Sequence, residues 1–494
     1  MIDTKALREK ILDLAMRGKL VPQDPNDEPA SELLKRIKAE KEELIKQKKI
    51  KPDKNESEIF KTEDGSYYEK FADGIVKSVE VPYEIPEGWE WVRIKSIYWN
   101  LGQRTPSNDF YYLDTGTIDN NCQKLDKMQI SKVSCREAPS RARKIVQKDS
   151  VIFSTVRSYL KNIAVIAVDN PEDYIASTAF IVLDTLLHSS FLLFVLTSQF
   201  FLKQVSEKST GSNYPAINDK NFNSLFIPIP PLNEQNRITE QIKFGFESIG
   251  KIDKNQSDLQ QLSEQLRQKV LDVAMQGKLV AQDPNDEPAS VLLEKIRAEK
   301  QRLFEEGKLK KKDLIEIEPV LTDDNAYYRN LPESWEVSTL GNIINLISGR
   351  DLRINKIIEQ PDLEGIPYIT GASDFHDGTV VTNRQTLEPQ VTSEIGDILI
   401  TVKGTVGKLG INPYFKAHIA RQVMAISPYV LDKIFLQYFL LYKIFEIKSQ
   451  SQSMIPGISR EVLLKLTIQL PPKEEQKRIS NFIQLVFEVI DQVN

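Results

Sequence analysis

The sequence has few of the residues from which catalytic and metal centres are built, with two cysteines and three histidines among 494 residues. Cys122 and Cys135 are too few and too isolated for a disulfide framework or a zinc site. His188, His376 and His418 are dispersed, with no HExxH pair and no Cys/His cluster. The G-x-S-x-G, G-x-G-x-x-G and Asn/Asp-Pro-Pro-Tyr/Phe strings are missing as well. The absence of every major catalytic motif predicts a protein that is not an enzyme.

Long apolar runs and targeting segments are also lacking. The most apolar stretch, residues 180–196, is interrupted by Asp184 and His188, which argues against a membrane span. The N-terminal residues MIDTKALREK have no apolar segment of the kind found in secretory signals. A cytoplasmic protein that does not associate with a membrane is therefore expected.

The chain lacks an excess of positive charge. It has 65 Lys and Arg residues and 70 Asp and Glu residues, which gives a net charge of -5. Overall charge therefore does not favour a nucleic-acid partner. Binding to DNA would have to depend on local basic patches that face the phosphates. The 40% hydrophobic composition is ordinary for a globular protein, and the length suggests about three or four domains.

An internal duplication is the strongest feature of the sequence. Residues 7–41 and 266–300 are identical at 26 of 35 positions with a constant offset of 259 residues. Two further marker pairs follow in the same order: IPEGWEWVRI at 85–94 with LPESWEVSTL at 331–340, and IPPLNEQNRI at 229–238 with LPPKEEQKRI at 470–479. The spacing is far longer than that of solenoid repeats, so it indicates duplicated domains.

A long helix is predicted from Glu234 to about Met275, where no proline occurs and apolar residues recur at alternating spacings of four and three. Gly245, Gln256 and Ser263 are the exceptions to this pattern. Gly277 supplies a C-cap.

A second helix of this kind is divided between the chain ends, at 475–494 and at 1–17, where Gly18 ends it. The repeat is therefore circularly permuted. We expect the two termini to lie close together, the protein to have pseudo-two-fold symmetry, and the two apolar stripes to pack antiparallel.

The segment QDPNDEPAS follows each capping glycine and leads into a helix whose first turn holds Pro29 or Pro288. The helix continues into a Lys/Glu run near residues 38–54. The arm could dock a partner subunit, or it could be a solvated charged helix and linker; for the Lys/Glu portion the second interpretation is favoured.

Two blocks, at about 85–232 and 332–472, carry short β-rich runs separated by turn residues. Each has one apolar helix, around 190–205 and 432–447, followed by a polar loop and a final strand. In block two, Lys403 and Lys408 flank the turn KGTVGKLG. This is not a P-loop, because its glycine spacing is too short and Leu409 stands where a Ser or Thr would bind magnesium. A β-hairpin is expected.

Candidate DNA contacts come from local charge, loop position and side-chain chemistry. The segment from Ser131 to Lys161 contains eight basic residues and two acidic ones, which indicates either a phosphate-contacting face or a solvated basic surface. The candidates of block one are Arg104, Arg141, Arg143, Lys144, Arg157, Lys161, Ser212 and Asn213. The candidates of block two are Arg350, Arg353, Lys403, Lys408 and Arg421.

The order of these segments resembles type I restriction-modification specificity subunits over essentially the whole chain. The most specific pieces are PPLNEQNRI, PPKEEQKRI, the loop STGSN at 209–213 and the duplicated DLAMRGKLV and DVAMQGKLV. Block two departs from this pattern, since Gln450, Ser451, Gln452 and Ser453 stand in place of the STGSN loop.

The resemblance implies an α+β fold in which two pseudo-two-fold-related α/β target recognition domains are separated by a long antiparallel coiled coil. The expected domains are 1–84, an N-terminal helix and charged arm; 85–232, target recognition domain 1; 233–331, the central helix and second arm; 332–472, target recognition domain 2; and 473–494, the C-terminal coiled-coil helix.

Function and partners also follow from the resemblance. Each recognition domain would read one half of an asymmetric, bipartite site in double-stranded DNA, and the helices would fix the spacer. They would also dock two methyltransferase subunits, and two restriction/translocase subunits would join them in the full complex. The chain itself would bind no cofactor, whereas its partners would use S-adenosylmethionine, ATP and Mg²⁺.

Two other interpretations remain open. One is a non-enzymatic scaffold whose blocks bind proteins, which the acidic net charge favours. The other is a methyltransferase fused to its own reader, for which no segment is left to form an S-adenosylmethionine domain.

Overall fold

The computed structural model describes residues 1–53, 56–319, 331–359, 364–376, 378–444 and 457–493, and the backbone alone of residues 445–450. The chain divides into two compact units, Met1–Gln256 (unit 1) and Ser257–Asn494 (unit 2). Each unit contains one copy of the duplicated sequence and combines helices with sheets, which confirms the α+β class. The detailed domain boundaries stay predictions.

Unit 1 begins with a helix and an arm, continues into a sheet-rich block and ends on a long helix. Its helices are α1 Thr4–Met16, α2 Ala30–Lys46, α3 Ser189–Thr197, α4 Gln199–Lys208, α5 Asp219–Asn223 and the first part of α6 Leu232–Met275. Its strands are β1 Ser57–Lys61, β2 Tyr67–Phe71, β3 Val76–Ser78, β4 Glu90–Arg93, β5 Phe110–Leu113, β6 Ile118–Asp119, β7 Lys124–Leu125, β8 Lys132–Val133, β9 Ala142–Ile145, β10 Val151–Ser154, β11 Ile163–Val165, β12 Tyr174–Ser177, β13 Phe180–Leu183 and β14 Phe226–Ile229.

Unit 2 has the same order of main parts: a long helix, an arm helix, a sheet-rich block and a final helix. Its helices are the rest of α6, α7 Ala289–Glu305, α8 Leu340–Ile343, α9 Lys433–Gln450, α10 Arg460–Leu464 and α11 Lys473–Val493. Its strands are β15 Glu336–Thr339, β16 Ile344–Ser348, β17 Ile366–Ile369, β18 Phe375–His376, β19 Thr379–Val380, β20 Gln385–Thr386, β21 Thr392–Glu394, β22 Ile398–Thr401, β23 Leu409–Ile411, β24 Lys416–Ile419, β25 Val423–Pro428 and β26 Thr467–Leu470.

The two blocks share one sheet topology. In unit 1 the order β8-β5-β12-β9 contains a parallel pair, β5 and β12; in unit 2 the order β20-β17-β24-β21 contains the parallel pair β17 and β24. A second sheet places β10 between β11 and β13, as β22 lies between β23 and β25. The predicted hairpin around KGTVGKLG is confirmed, since β22 and β23 are antiparallel neighbours. The duplication in sequence is therefore a duplication of fold.

One predicted helix differs from the structure. The apolar stretch at 190–205 forms two helices, α3 and α4, because the backbone is extended at Ser198. The Ser198 hydroxyl accepts a hydrogen bond from the Phe201 N–H at 3.2 Å and so begins a new helix.

In unit 1 the N-terminal helix α1 packs antiparallel to α6, as expected for a permuted repeat. Ile11 and Arg8 of α1, and Ile2 just before it, contact positions 245, 253 and 256 of α6, so residue numbers decrease along one helix as they increase along the other. Gly245 and Gln256, two exceptions to the apolar pattern, face α1. A Cβ at Gly245 would lie 2.8 Å from Ile11, and the Gln256 amide bonds both backbone groups of Ile2.

Unit 2 builds the equivalent helix pair from α11 and the second part of α6. The Arg267 guanidinium lies over the Phe487 ring at 4.8 Å, as the Arg8 guanidinium lies over Phe246 at 5.3 Å in unit 1. Ser263, the third exception, is buried. Two helices joined in this way occur in each unit; the closeness of the two chain termini stays a prediction.

The repeated motifs QDPNDEP and PPxxEQxRI meet in a set of contacts that we call the clasp. In unit 1, Gln23 and Trp89 donate hydrogen bonds to the Glu234 carboxylate at 2.8 and 2.9 Å, and Arg237 forms an ion pair with Asp27 at 2.5 Å. Burial raises the pKa of Glu234, whereas the Arg237 hydrogen bond lowers the pKa of Asp27.

The clasp of unit 2 repeats each of these contacts. Its members are Gln282, Trp335 and Glu475, with hydrogen bonds of 2.7 and 3.0 Å, and the ion pair Arg478–Asp286 at 2.6 Å. The clasp fastens the start of the arm to the helix that follows each block. The motifs that mark the duplication therefore form contacts that hold each unit together.

Each clasp requires a glycine at the preceding helix end. Gly18 and Gly277 have φ of +66° and +68°, and a Cβ there would lie 2.3 Å from Pro86 and 2.7 Å from Pro332. Both predicted C-caps are confirmed. The arm helices α2 and α7 start directly after Pro29 and Pro288, which occupy the N-cap.

The apolar face of each arm helix is covered by its own unit. In α2 the residues Ala30, Leu33 and Ile37 are buried in the main core of unit 1, while the opposite face carries exposed ion pairs such as Lys35–Glu32. In the Lys/Glu run itself, Lys38, Glu40 and Glu42 are exposed, whereas Lys41 is partly buried and donates to the carbonyls of Lys95 and Ser96 at 2.8 Å. Docking of a partner by the arm stays a prediction.

A buried Ser–Asp pair next to the central strand of each block has its two residues exchanged between the units. In unit 1 the Ser150 hydroxyl donates to Asp184; in unit 2 the Ser427 hydroxyl donates to Asp397 at 2.5 Å. The positions correspond because Val151 pairs with Leu183 and Ile398 with Ile426. Asp184 explains the polar interruption of the apolar stretch at 180–196.

The two aspartates differ in how well they are hydrogen-bonded. Asp397 accepts further bonds from the Ser393 hydroxyl at 3.0 Å and the Glu394 N–H at 2.8 Å, whereas Oδ2 of Asp184 is buried without a partner among the described residues. Burial therefore raises the pKa of Asp184 to about 6, although the Ser150 hydrogen bond opposes this shift.

We expect Asp184→Asn to stabilise unit 1 at pH 7.5 by about 1–3 kcal/mol and to have little effect near pH 4. A raised carboxyl pKa in the folded state means that stability is present at low pH and is lost as the pH rises from about 4 to 6. Denaturant unfolding at both pH values measures the effect. The matched variant Asp397→Asn should instead destabilise unit 2, because it places an amide NH₂ against bound donors. Stabilisation by both variants would contradict this account.

No helix among the described residues is long and apolar enough to cross a membrane.

Candidate functional site

Several candidate residues of unit 1 meet at one end of its sheets, which we call tip 1. In one sheet, β10 ends at this point and its neighbours β11 and β13 begin, as the pair Ser154–Phe180 shows. In the other sheet, β12 ends here beside the start of β9, as the pair Ser177–Ala142 shows. The turn after β10 carries Arg157 and Lys161, and Arg141 precedes β9. The loop with Ser212 and Asn213 is attached to this turn by the Arg157 N–H, which donates to the Pro215 carbonyl at 2.8 Å.

Not all candidates of block one lie at tip 1. Arg143 and Lys144 belong to β9, an edge strand, and the Arg104 N–H donates to the Arg143 carbonyl at 2.8 Å along the same edge. The Arg104 guanidinium donates to the carbonyl of Glu172. The structure therefore divides the basic residues predicted for block one between a tip and a neighbouring sheet edge.

The five candidates of block two meet at the equivalent end of unit 2, which we call tip 2. β16 and β22 end there and β25 begins, as the pairs Ser348–Met424 and Thr401–Val423 show. The loops at this end carry Arg350, Arg353, Lys403, Lys408 and Arg421. The hairpin side of tip 2 is joined to residues 457–458, since the Ile458 N–H donates to the Val402 carbonyl at 2.9 Å. Residues Gln450–Ser453, which stand in place of the STGSN loop, lie outside the residues whose side chains the structure describes.

The candidate cations differ in whether their side chains already form a hydrogen bond or an ion pair within the protein; those that do are called engaged. The Arg421 guanidinium pairs with Asp351 at 2.7 Å, and the Lys408 ammonium donates to the carbonyls of Ala372 and Phe375 at 3.0 and 3.2 Å. Those without a side-chain hydrogen bond or ion pair to a described residue are Arg141, Lys144, Arg157, Lys161, Arg350, Arg353 and Lys403. These unengaged cations are the ones best able to contact phosphates or base edges.

A buried histidine fixes one loop of tip 2. In His418 the Nε2 lies 2.8 Å from the Arg350 carbonyl, and Nδ1 accepts from the Gln390 and Val391 N–H groups at 3.3 Å. Burial lowers the pKa of His418. These partners suit a neutral imidazole that donates from Nε2 and positions the backbone of Arg350.

Other groups that could support catalysis or bind a metal ion have structural roles among the described residues. Nδ1 of His188 accepts from the Phe191 N–H at 3.4 Å and so caps α3. Within the described part of the chain no group of three or more His, Cys, Asp or Glu residues is placed to hold a metal ion.

Sequence reasoning missed two aromatic residues at tip 1. Tyr214 is 65% exposed and its ring lies 4.2 Å from the guanidinium carbon of Arg157; Tyr159, in the same turn as Arg157, is 60% exposed. Tyr214 directly follows the loop STGSN, so its proximity to that loop was the available signal. A large exposed aromatic next to unengaged cations is typical of a binding surface.

Comparison with protein families gives one model that matches the chain twice. The family is described as the type I restriction modification DNA specificity domain, and its model matches residues 86–255 and 332–493. Each match contains one block, one tip and the helix that follows the block.

Among curated proteins, the chain is similar to specificity subunits of restriction enzymes. It is 29% identical to the type I restriction enzyme EcoEI specificity subunit of Escherichia coli over 99% of this chain and 90% of that protein. It is 32% identical to the EcoAI specificity subunit of Escherichia coli over 70% of this chain and 63% of that protein.

Solved structures show the same similarity. The HsdS subunit from Thermoanaerobacter tengcongensis matches with a TM-score of 0.54 and 27% identity, covering 84% of this chain and 92% of that one. A chain from a type I R-M system, solved to explain complex assembly and conformational transition, matches with a TM-score of 0.59 and 27% identity, over 83% of this chain and 93% of that one.

Proposed function

Because the chain belongs to the type I restriction modification DNA specificity family, we propose that it selects the DNA sequence on which a restriction-modification complex acts. Each unit reads one half of an asymmetric, bipartite site in double-stranded DNA. The observation that carries this proposal is the pair of tips, built on one sheet topology from different side chains. A common frame with unlike tips suits two half-sites of different sequence.

The side chains at the tips support contact with DNA. Arginine and lysine neutralise phosphates, and arginine also matches the two acceptors of guanine in the major groove. Because the overall charge is -5, attraction to DNA has to come from local basic residues such as those at the tips. Two half-site readers in one chain gain affinity, because binding of one raises the effective concentration of the other.

The partners in this proposal are two methyltransferase subunits, joined by two restriction/translocase subunits in the full complex. Exposed apolar side chains on the helices support docking of other subunits. They are Phe244, Leu262 and Leu266 on α6 and Phe482, Leu485 and Val489 on α11. The chain contributes sequence selection and no reaction step. S-adenosylmethionine, ATP and Mg²⁺ are used by the partners.

The proposal is tested by mapping methylated adenines in the DNA of cells that express this chain with the methyltransferase encoded beside it. We expect one bipartite motif with two unlike halves and a spacer of fixed length. A continuous palindrome would refute the proposal, as would methyl transfer by the purified chain alone. A protein-binding scaffold predicts no motif and no steep loss of DNA affinity as salt rises.

A further inference from the structure

Two basic residues of tip 1 have a backbone conformation that side chains disfavour. Arg157 and Lys161, at either end of the 3-10 turn Ser158–Leu160, have φ of +50° and +55°. In this left-handed region the Cβ of an L-residue lies too close to the neighbouring carbonyl oxygen, and glycine alone avoids the cost.

The corresponding turn of unit 2 has glycine at both positions. Thr155 in unit 1 corresponds to Val402 in unit 2, because their backbones make equivalent hydrogen bonds. The Thr155 N–H donates to the turn between β12 and β13, and its carbonyl accepts from the Ile217 N–H. The Val402 N–H donates to the turn between β24 and β25, and its carbonyl accepts from the Ile458 N–H. Two residues later, Arg157 corresponds to Gly404, whose φ is +72°. Lys161 and Gly407, with φ of +81°, both stand two residues before the next strand. The turn of unit 2 is one residue shorter between these two positions, and it has glycine at both, so its left-handed backbone carries no side-chain strain.

A basic residue with a left-handed backbone conformation, at a position where the other unit has glycine, is not by itself a sign of function. Lys48, with φ of +59°, also corresponds to a glycine, Gly307, but it follows the end of α2, where a positive charge suits the helix dipole. Arg157 follows a strand and has no such compensation. The free energy that it costs the fold needs another reason.

The side chain of Arg157 is held but not hydrogen-bonded by the described residues. Its guanidinium stacks on Tyr214 at 4.2 Å, and its Nε is buried without a partner. The stack fixes the plane of the guanidinium, since Tyr214 is itself attached through the Pro215 carbonyl to the Arg157 N–H. A planar donor group oriented in this way is prepared for an acceptor pair from outside the protein.

We propose that Arg157 determines specificity in unit 1 by donating two hydrogen bonds to O6 and N7 of a guanine, while Lys161 contacts the DNA backbone. This inference rests on the proposed function and assigns a base to one side chain. Tyr214 is the positioning residue that orients the guanidinium. Unit 2, with Gly404 at the equivalent position, cannot read a base from this point of its turn.

The test is Arg157→Gly in the full chain, expressed with its methyltransferase. Glycine removes the backbone strain, so the thermal stability should stay equal or rise. In the methylation map, one G·C pair of one half-site should become degenerate, and the other half-site and the spacer should not change. In a binding assay with the complex, discrimination at that pair should fall by about 5- to 150-fold.

Matched variants separate reading of a base from other effects. Lys48→Gly relieves the same backbone conformation and should leave the motif unchanged. Arg157→Lys keeps the charge but lacks the planar fork, so it should also relax the G·C position.

Three results would overturn the inference. The first is an Arg157→Gly motif identical to that of the parent, and the second is a destabilised Arg157→Gly variant. The third is an equal loss of affinity for all sequences, which would make Arg157 a phosphate contact. A parent chain that yields no bipartite motif would instead refute the proposed function.

Discussion

The double variant Arg353→Ala/Lys403→Ala is expected to lower the affinity of the complex for its target about 50-fold at 0.1 M salt. Both side chains are exposed at tip 2, and neither has a hydrogen bond or ion pair to a described residue. Each phosphate contact contributes about 0.9 to the slope of log affinity against log salt, so the loss of two contacts accounts for this factor. The slope itself should fall by about 2, which a titration at several salt concentrations measures.

The control removes two positive charges from unit 2 at another place. Lys311 and Lys312 are exposed beyond the arm helix α7, and the variant Lys311→Ala/Lys312→Ala should change affinity by less than about 3-fold. If the two double variants lose affinity equally, net charge rather than tip 2 governs binding. If neither loses affinity, tip 2 does not contact phosphates.

Trp335→Ala is expected to destabilise unit 2 by about 3–5 kcal/mol. The Trp335 side chain is 5% exposed, packs beside Gly277 and donates from Nε1 to Glu475 at 3.0 Å. The substitution leaves a cavity and removes one donor from a buried carboxylate whose pKa burial already raises. Hydrogen exchange should show faster exchange in β15 and β26.

Unit 1 provides the matched comparison for this variant. Trp89 makes the same contacts with Gly18 and Glu234, so Trp89→Ala should increase exchange in β4 and β14. Trp335→Phe, which keeps most of the packing, should cost less, about 1–3 kcal/mol. Equal costs for Trp335→Ala and Trp335→Phe would show that the hydrogen bond, not the packing, stabilises the clasp.

The long helices illustrate what could be predicted from the sequence. Helix α6 was expected from Glu234 to about Met275 and is observed over Leu232–Met275. Helical periodicity and the absence of proline are local properties, and so is the requirement for glycine at each C-cap. The exceptions Gly245 and Gln256 could not be explained in this way, because their partners Ile11 and Ile2 are more than 200 residues away in the chain.

The clasp shows the limit of motif recognition. The PPLNEQNRI segment was one of the pieces that carried the family resemblance, yet nothing in its spacing indicated that Glu234 would accept hydrogen bonds from Gln23 and Trp89. Contacts between residues so far apart depend on how the chain folds back. The exchange of Ser and Asp between the units also depends on tertiary contacts, because the two residues belong to different strand ends that meet only in the folded sheet.

The resemblance to a known family implied that DNA is read in two parts. The sequence by itself determined that this protein is duplicated and permuted and where its long helices lie. These properties follow from identity at a constant offset and from periodicity, which require no knowledge of distant contacts. Only the tertiary structure decided which of the basic residues share a tip, which are already engaged, and that Tyr214 holds Arg157. The physical reason is that a binding surface is made of turns from separate strands, and those turns meet only when the sheets have formed.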